Sequence, residues 1–270
     1  TPTWPNHPQV FSAAGLPVRS YPYLGEDGEL DIETLLGVLR AVPAGDVVVL
    51  HGCCHNPTGI DPTLEQWERI ADAVVEAGAL PLLDFAYQGF ANGLEEDAAG
   101  LRALLAREGT MFVASSFSKN FALYDERVGA LSVVGASADE TAALLSHAKA
   151  VIRSNYSNPP AHGGEIVATV LTDPVLTERW IGEVRTMRDR INGNRARFVE
   201  GLQAAGAPGN HESLMRQRGM FSLLPLGVER VDRLRDEFGV YVVGKGRVNV
   251  AGLTAENLEP VCRAIAAVSG

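Results

Sequence analysis

The sequence predicts an α/β protein whose large domain contains a doubly wound, largely parallel sheet. Three short apolar runs, 47–50, 80–83 and 111–114, have the length and β-branched character of buried strands. Helical patterns separate these runs along the chain. Strands and helices alternate in this way when crossover helices connect parallel strands. We therefore expect the carboxyl ends of the three strands to lie at one edge of the sheet.

Hydrophobic spacing and turn residues predict the remaining elements of the large domain. Residues 1–22 are rich in proline and aromatic side chains, which indicates an irregular loop. Helical spacing of apolar residues predicts helices over 31–40, 62–77, 98–107 and 139–152. The run 128–134 predicts a further strand, and the turn 155–160 ends the helix before it.

A long helical pattern over 174–205 predicts the connection between two domains, a large one over 1–185 and a small one over 186–270. Acidic side chains are interleaved with the basic ones on this helix, which indicates a solvated, ion-paired face. The basic residues are Arg179, Arg185, Arg188 and Arg195. Short strands over 221–224, 240–243 and 247–250, with helices over 231–238 and 255–268, predict a small α+β domain.

Composition excludes several classes of partner. The net charge of −10 argues against nucleic acid and anionic membranes. No run approaches the roughly 18 apolar residues of a membrane span, and the chain does not start with a secretory signal pattern. Three cysteines, two of them adjacent, do not form a disulfide framework. We expect reduced thiols and a cytoplasmic location.

Lys119 lies between two hydroxyl side chains, Ser116 and Ser118, just after the third predicted strand, and Arg127 follows eight residues later. Hydroxyls and a guanidinium can bind a phosphate group. A lysine that is desolvated near cationic groups loses its proton readily and forms a Schiff base with an aldehyde. The pattern suits an anionic, covalently held cofactor. The alternative is an ordinary loop at a strand end, with Arg127 in a surface ion pair.

The ends of the other strands supply the groups that a pyridine ring needs. The carboxylate of Asp84 could keep a ring nitrogen protonated, and Asn56 and Tyr87 could donate to a phenolic oxygen. His7 could hold Asp84 in place, and Trp4 beside it could stack on the ring. Taken singly, each residue also has an ordinary structural interpretation, such as capping of a turn by Asp84.

The cluster of His51, Cys53, Cys54 and His55 suggests zinc, but we expect no metal. Adjacent cysteines in extended chain point to opposite faces, and no second Cys/His pair completes a tetrahedral site. The sequence also contains no phosphate loop or dinucleotide fingerprint, so nucleotide cofactors have no support.

Several long motifs together resemble class I aminotransferases, and more narrowly the aspartate/aromatic amino acid subfamily. These are Ser-Ser-Phe-Ser-Lys at 115–119, His-Asn-Pro-Thr-Gly at 55–59, Asp-Phe-Ala-Tyr at 84–87, Arg-Ser-Asn-Tyr at 153–156 and Gly-Arg-Val-Asn-Val at 246–250. The resemblance implies the large domain of pyridoxal-phosphate-dependent transferase fold type I. It also implies pyridoxal 5'-phosphate bound as a Schiff base to Lys119, which then shuttles the proton of the substrate α-carbon.

The resemblance also assigns the other residues of the site. Trp4 would stack on the cofactor ring, and Ser116, Ser118 and Arg127 would hold its phosphate. Arg247 would bind the α-carboxylate of the substrate by two parallel hydrogen bonds. Arg153 would reach the distal carboxylate of a dicarboxylic substrate in the neighbouring subunit of a homodimer. Asn56 and Trp4 would also contact the substrate.

The implied reaction is transamination between L-aspartate, or aromatic L-amino acids, and 2-oxoglutarate. An aromatic-specific enzyme and a different pyridoxal phosphate reaction, such as a lyase or decarboxylase, are the enzymatic alternatives. Family members carry a substantial segment before the position of Trp4, and it contributes a phosphate-binding loop. Its absence from these 270 residues predicts weak cofactor binding and little turnover. A non-enzymatic folding or interaction unit is a further alternative.

Overall fold

The computed structural model describes residues 1–270, which form two separate sheets and nine α-helices. The helices are α1 Asn6–Ala13, α2 Ile32–Arg40, α3 Leu64–Glu76, α4 Ala99–Leu105, α5 Ala138–Asn155, α6 Ala161–Thr172, α7 Pro174–Ala204, α8 Gly227–Phe238 and α9 Leu258–Ser269. Short 3₁₀ turns occur at Glu96–Ala98, Glu212–Arg216 and Val250–Gly252. No helix has both the length and the apolar character needed to cross a membrane.

The larger sheet has four strands in the order of the chain: β1 Val47–His51, β2 Leu80–Phe85, β3 Met111–Ser116 and β4 Gly129–Val134. The first three strands are parallel, which confirms the predicted α/β class and largely parallel sheet. The fourth runs antiparallel to β3. The connection between β3 and β4 contains no crossover helix, and a parallel pair would need one.

Helices cover the sheet because their apolar faces pack against it. Thr63 and Gln66 form a reciprocal capping box that starts α3, and the buried face of α3 includes Trp67 and Ile70. Helix α4 approaches α3 closely at Gly100, where an added Cβ would lie 2.5 Å from the Trp67 ring. A larger residue at position 100 would therefore separate the two helices and disturb the core next to the sheet.

The smaller sheet pairs β5 Phe221–Leu223 with β6 Arg247–Asn249 in antiparallel orientation. The predicted strand over 240–243 is absent, because only Val243 makes an isolated bridge, to Arg247. The turn between them contains Gly244 and Gly246 with positive φ angles, so the chain reverses sharply there. The division at residues 185 and 186 stays a prediction.

Two further expectations about local structure are wrong. Residues 1–22 are not irregular throughout, because α1 lies within them. None of the residues of α1 is buried, and its eight residues are too few to show a clear apolar period. The basic face of α7 is not wholly solvated either, because Arg195 is only 1% exposed. Two of its three hydrogen-bond partners, Gly219 and Ser222, lie in and just before β5, and a periodicity argument along α7 does not detect them.

Candidate active site

The carboxyl ends of the three parallel strands meet at one edge, as the alternation of strands and helices predicts. His51 at the end of β1 lies in register with Asp84 of β2, and Phe85 lies in register with Ser115 of β3. Lys119 follows three residues after β3 ends. Because β4 begins at Gly129 opposite Ser116, the antiparallel return brings Arg127 back to the same edge. The topology therefore gathers a carboxylate, an amine and a guanidinium.

Lys119 is half-buried, and its Nζ lies 4.9 Å from the centre of the Tyr87 ring. Burial lowers the pKa of the Lys119 amine, the nearby carboxylate of Asp84 raises it, and the positive charge of Arg127 lowers it. The net direction is downward. A larger fraction of the amine is then unprotonated at neutral pH, which is the form that acts as nucleophile or base.

Asp84 is held by a hydrogen-bonded network that extends away from Lys119. Its Oδ2 accepts a hydrogen bond of 3.0 Å from Nε2 of His7. The hydroxyl of Thr3 then bridges Nδ1 of His7 and Nε2 of His51, at 2.9 and 3.0 Å. Burial raises the pKa of Asp84, but the His7 hydrogen bond and the charges of His51 and Lys119 outweigh it, so the pKa is lowered. Asp84 is therefore an anion.

Asn56 connects the large domain to Arg247 in the smaller sheet. Its Oδ1 accepts a hydrogen bond of 3.0 Å from Nη1 of Arg247, and its Nδ2 donates to the Tyr87 hydroxyl at 3.4 Å. The guanidinium of Arg247 also lies 4.5 Å above the Phe221 ring. Burial is the main cause that raises the pKa of Tyr87, so its hydroxyl stays protonated and can donate. Arg247 makes no ion pair with a carboxylate of the chain, which leaves its charge for a ligand.

The three residues predicted to bind phosphate lie around the β3–β4 turn. Ser118 is buried, and its backbone N–H donates to Oγ of Ser116 at 3.3 Å. Arg127 has a φ of 51° and donates from Nη1 to the carbonyl oxygen of Tyr124 at 2.9 Å. This single neutral acceptor leaves most of the Arg127 donors without a protein partner.

Two predicted residues lie towards the outside of the site. Trp4 is 39% exposed and meets the His7 ring edge-on, with ring centres 5.3 Å apart. Arg153, at the end of α5, is exposed and hydrogen-bonds Ser157. It makes no hydrogen bond to the residues around Lys119 within its own chain.

Sequence reasoning missed Asp61, which holds the loop that carries Asn56. Its two carboxylate oxygens accept backbone N–H bonds from Cys54 at 2.7 Å and from His55 at 2.8 Å. Burial raises the pKa of Asp61 to about 6. An aspartate that follows Asn-Pro-Thr-Gly at a turn is a usable signal for such a loop closure.

The cysteine pair lies beside a carboxylate, yet the arrangement does not favour a metal. Thiols of Cys53 and Cys54 and a carboxylate oxygen of Asp97 lie within 4.8 Å of one another. The Asp97 carboxylate, however, already accepts four backbone N–H bonds from the loop after β2, at residues 89, 91, 92 and 93. Burial contributes to raising the pKa of both thiols, which disfavours the thiolate form that binds metals.

The buried histidines of this region predict acid sensitivity. Burial lowers the pKa of His51 from 6.5 to about 4, so the folded protein binds its proton more weakly than the unfolded chain. The stability that His51 contributes is complete above about pH 6.5 and is lost as the pH falls towards 4. Replacing His51 by asparagine should reduce the loss of unfolding free energy between pH 7 and 5 by about 1 to 2 kcal/mol.

Urea unfolding at both pH values measures this effect. Asp61 acts in the opposite direction, because its raised pKa makes its contribution fall as the pH rises through about 6. Wild type and the His51→Asn variant share the contribution of Asp61, so the difference between their unfolding free energies reports on His51 alone. His147, exposed on α5, provides the control substitution to asparagine. Equal pH dependence in wild type and the His51→Asn variant would contradict the assignment.

Comparison with known proteins agrees with this geometry. The sequence model of the family aminotransferase class I and II matches residues 1–265. Aspartate aminotransferase of Escherichia coli is 55% identical over 268 residues, which cover 99% of this chain and 68% of that protein. Aromatic-amino-acid aminotransferase of Pseudomonas aeruginosa is 48% identical over 267 residues, which cover 99% of this chain and 67% of that protein.

Solved structures are similar over the same span. The aromatic-amino-acid aminotransferase of Burkholderia pseudomallei, covalently bound to pyridoxal phosphate, has a TM-score of 0.96 at 48% identity, covering 100% of this chain and 68% of that chain. A mitochondrial aspartate aminotransferase from Trypanosoma brucei has a TM-score of 0.95 at 39% identity, covering 99% of this chain and 71% of that chain.

The fold and the matches define an α/β enzyme of transferase fold type I whose reaction is transamination. The chain belongs to the family aminotransferase class I and II. It spans about 68% of the length of the Escherichia coli relative. The predicted family and reaction are therefore confirmed.

Proposed function

We propose that the chain exchanges an amino group between L-aspartate and 2-oxoglutarate, with Lys119 as the residue that attaches pyridoxal phosphate and moves the proton. Aromatic L-amino acids are the second candidate substrates, since both kinds of relative are similar to the chain. The observation that carries the proposal is the half-buried Lys119 amine at the sheet edge, with a lowered pKa and with Asp84 and Arg127 near it.

The residues at this edge have the donor set that pyridoxal phosphate requires. Arg127 and the serine hydroxyls suit its phosphate, the Asp84 carboxylate suits a protonated ring nitrogen, and the Tyr87 hydroxyl with Asn56 suits its phenolic oxygen. When bound, the cofactor supplies an aldehyde for a covalent link to an amine and a ring that accepts an electron pair from the substrate. The charges match: the cation Arg127 is among the residues that suit the anionic phosphate, and the anion Asp84 suits the protonated ring nitrogen.

The amine of Lys119 has two tasks in this account. It would hold the cofactor before the substrate arrives, and as a free amine it would then accept the proton from the substrate α-carbon. Its lowered pKa favours the unprotonated form that both tasks require. The nearby Tyr87 ring limits the positions that the lysine side chain can adopt.

Asp84 keeps a proton at the ring nitrogen because it is an anion that faces little water. The hydrogen bond from His7, itself held by Thr3, fixes the orientation of the carboxylate. Trp4 packs edge-on against His7 and would provide the flat face over the ring. Asn56 orients both Tyr87 and Arg247, so it would link cofactor binding to substrate binding.

The substrate's α-carboxylate would bind Arg247, whose charge has no carboxylate partner in the chain. Two parallel hydrogen bonds from a guanidinium fix a carboxylate in orientation as well as position. Arg153 would bind the distal carboxylate of a dicarboxylic substrate in the neighbouring subunit. This proposed role makes aspartate the favoured amino donor.

A homodimer is part of the proposal. Helix α5 has no buried residue within the single chain, and it exposes Leu145 and Val151 by 45% and 65%. Leu131 on β4 is exposed by 53%. Apolar surface of this kind marks an interface, and Arg153 lies at one end of it on α5.

We also propose a cytoplasmic location, which the three free, buried cysteines support.

Mixing two inactive or weak variants should restore activity if Arg153 serves the neighbouring subunit. A hybrid of Lys119→Ala and Arg153→Ala subunits contains one site with Lys119 from one chain and Arg153 from the other. Co-refolded mixtures should therefore regain up to about a quarter of the wild-type aspartate activity, while each variant alone stays low. If Arg153 instead acts within its own chain, every hybrid site lacks one group and no activity returns.

Product analysis tests the reaction itself. Aspartate and 2-oxoglutarate should yield oxaloacetate and glutamate in equal amounts, at saturating pyridoxal phosphate. Release of ammonia or carbon dioxide as a primary product would indicate a lyase or decarboxylase instead.

A further inference from the structure

A polar cavity of about 250 Å³ lies outside the site around Lys119. Three segments of the chain meet there: the loop after β2, helix α7 and the loop before β5. The residues that line it are Asn92, Asn192, Arg195, Met215 and Arg218. Two arginines, two amides and a single apolar side chain form a lining with positive charge and no carboxylate.

Arg195 is the buried member of this set, with 1% of its surface exposed. Its Nη1 donates to Oδ1 of Asn192 at 2.9 Å and its Nε to Oγ of Ser222 at 3.3 Å, and Nη2 donates to the carbonyl oxygen of Gly219. These acceptors are all neutral, and a guanidinium has five N–H donors. A buried charge without an ion pair is costly, and none of the hydrogen-bond acceptors around this guanidinium is a carboxylate.

Arg218 adds a second charge at the same cavity. It donates from Nε to Oδ1 of Asn92 at 3.3 Å and from Nη1 to the carbonyl oxygens of Met215 and Gln217, both at 2.9 Å. Again no acceptor is a carboxylate. The pKa of Arg195 is lowered to about 10, mainly by burial; the charge of Arg218 also lowers it, and that of Asp61 raises it.

The charge of Asp61 acts on both arginines, but its carboxylate bonds neither of them. Its two oxygens already accept the backbone N–H groups of Cys54 and His55, and it forms no ion pair with either arginine. Two guanidiniums that lack ion pairs, share a cavity and retain free donors match the chemistry of an anion site. Amide N–H groups of Asn92 and Asn192 can complete the coordination.

We propose that this cavity binds a small oxyanion of the phosphate or sulfate type between Arg195 and Arg218. The anion would join the loop after β2 to α7 and to the loop before β5. Since Arg247 lies in the sheet that the last loop enters, a bound oxyanion would also stabilise the placement of the substrate-binding arginine. The proposal does not depend on the function of Lys119.

Titration with inorganic phosphate tests the site directly. All proteins carry Arg127→Gln, because Arg127 is proposed to bind phosphate at the other site. Calorimetry at constant ionic strength, with chloride replaced by phosphate, should show saturable binding to this protein. Adding Arg218→Gln should weaken the binding at least about tenfold, since one charge-assisted contact is lost. Sulfate should compete with phosphate.

Arg216→Gln is the matched control, two positions away, exposed and paired with Glu29. It should leave phosphate affinity unchanged. Asn92→Ala is a second, exposed variant that should also weaken binding without disturbing the buried Arg195. Absence of saturable binding, unchanged affinity in Arg218→Gln, or an equal loss in Arg216→Gln would each overturn the proposal, the last because it would indicate a general charge effect.

Discussion

Replacing Lys119 by alanine is expected to lower the rate of transamination by about 10⁴-fold or more. In the proposed function, the amine is both the nucleophile that attaches the cofactor and the base that moves the substrate proton, and general base catalysis alone contributes about 10²–10⁴. A continuous assay of oxaloacetate formation from aspartate and 2-oxoglutarate measures the loss. Added primary amines should restore part of the rate, since they replace the base but not the covalent attachment.

The chain provides its own controls for this substitution, because it contains only three lysines: Lys119, Lys149 and Lys245. Lys149 is exposed on α5, so Lys149→Ala should retain wild-type activity. Circular dichroism would establish that Lys119→Ala is folded. If folded Lys119→Ala kept its activity, or if Lys149→Ala lost as much, Lys119 would not be the catalytic lysine.

The second large effect concerns Arg247 and Arg153, the two arginines that we propose bind the substrate; one should affect all substrates and the other only dicarboxylic ones. Arg247→Ala should lower kcat/KM for every amino acid and oxo acid, because all carry the α-carboxylate. Arg153→Ala should lower kcat/KM for aspartate and 2-oxoglutarate but not for phenylalanine. Removing one partner of a desolvated charge pair costs about 2 to 5 kcal/mol, which corresponds to about 30-fold to 5000-fold in kcat/KM.

Steady-state kinetics with aspartate and phenylalanine as amino donors makes this comparison. Arg179, on α7, provides a control substitution, because its side chain is exposed and we assign it no role in binding. Equal losses for aspartate and phenylalanine in the Arg153→Ala variant would contradict the distal-carboxylate role. Arg247→Lys should not rescue Arg247→Ala fully, since an ammonium cannot form the two parallel bonds.

The sequence alone predicts that the carboxyl ends of the parallel strands lie at one edge of the sheet. Alternating apolar runs and helices place Asp84 and Lys119 at the same sheet edge, and the structure has that parallel order for β1 to β3. The pairing of His7 with Asp84, at 3.0 Å, also agrees with the sequence-based hypothesis. The alternation of strands and helices predicts the shared edge, whereas the His7 contact was predicted from the need of a buried carboxylate for a hydrogen-bond donor.

Other relations leave no periodic signal. Thr3 bonds His51, 48 residues away, through one hydroxyl, and a single hydroxyl in a proline-rich segment does not stand out. Arg195 alternates with acidic residues in the manner of a solvated face, yet partners distant in sequence bury it. The orientation of β4 depended on the absence of a crossover helix between Ser116 and Gly129, which the strand pattern of 128–134 alone does not reveal.

The most direct test of the central claim is to identify the lysine that holds the cofactor. The protein is incubated with excess pyridoxal phosphate, reduced with borohydride, digested and mapped by mass spectrometry. We predict a single reduced adduct on the peptide that contains Lys119, and its loss when aspartate is added before reduction, because the substrate displaces the lysine. An adduct on Lys149 or Lys245, or equal labelling of all three lysines, would contradict the account.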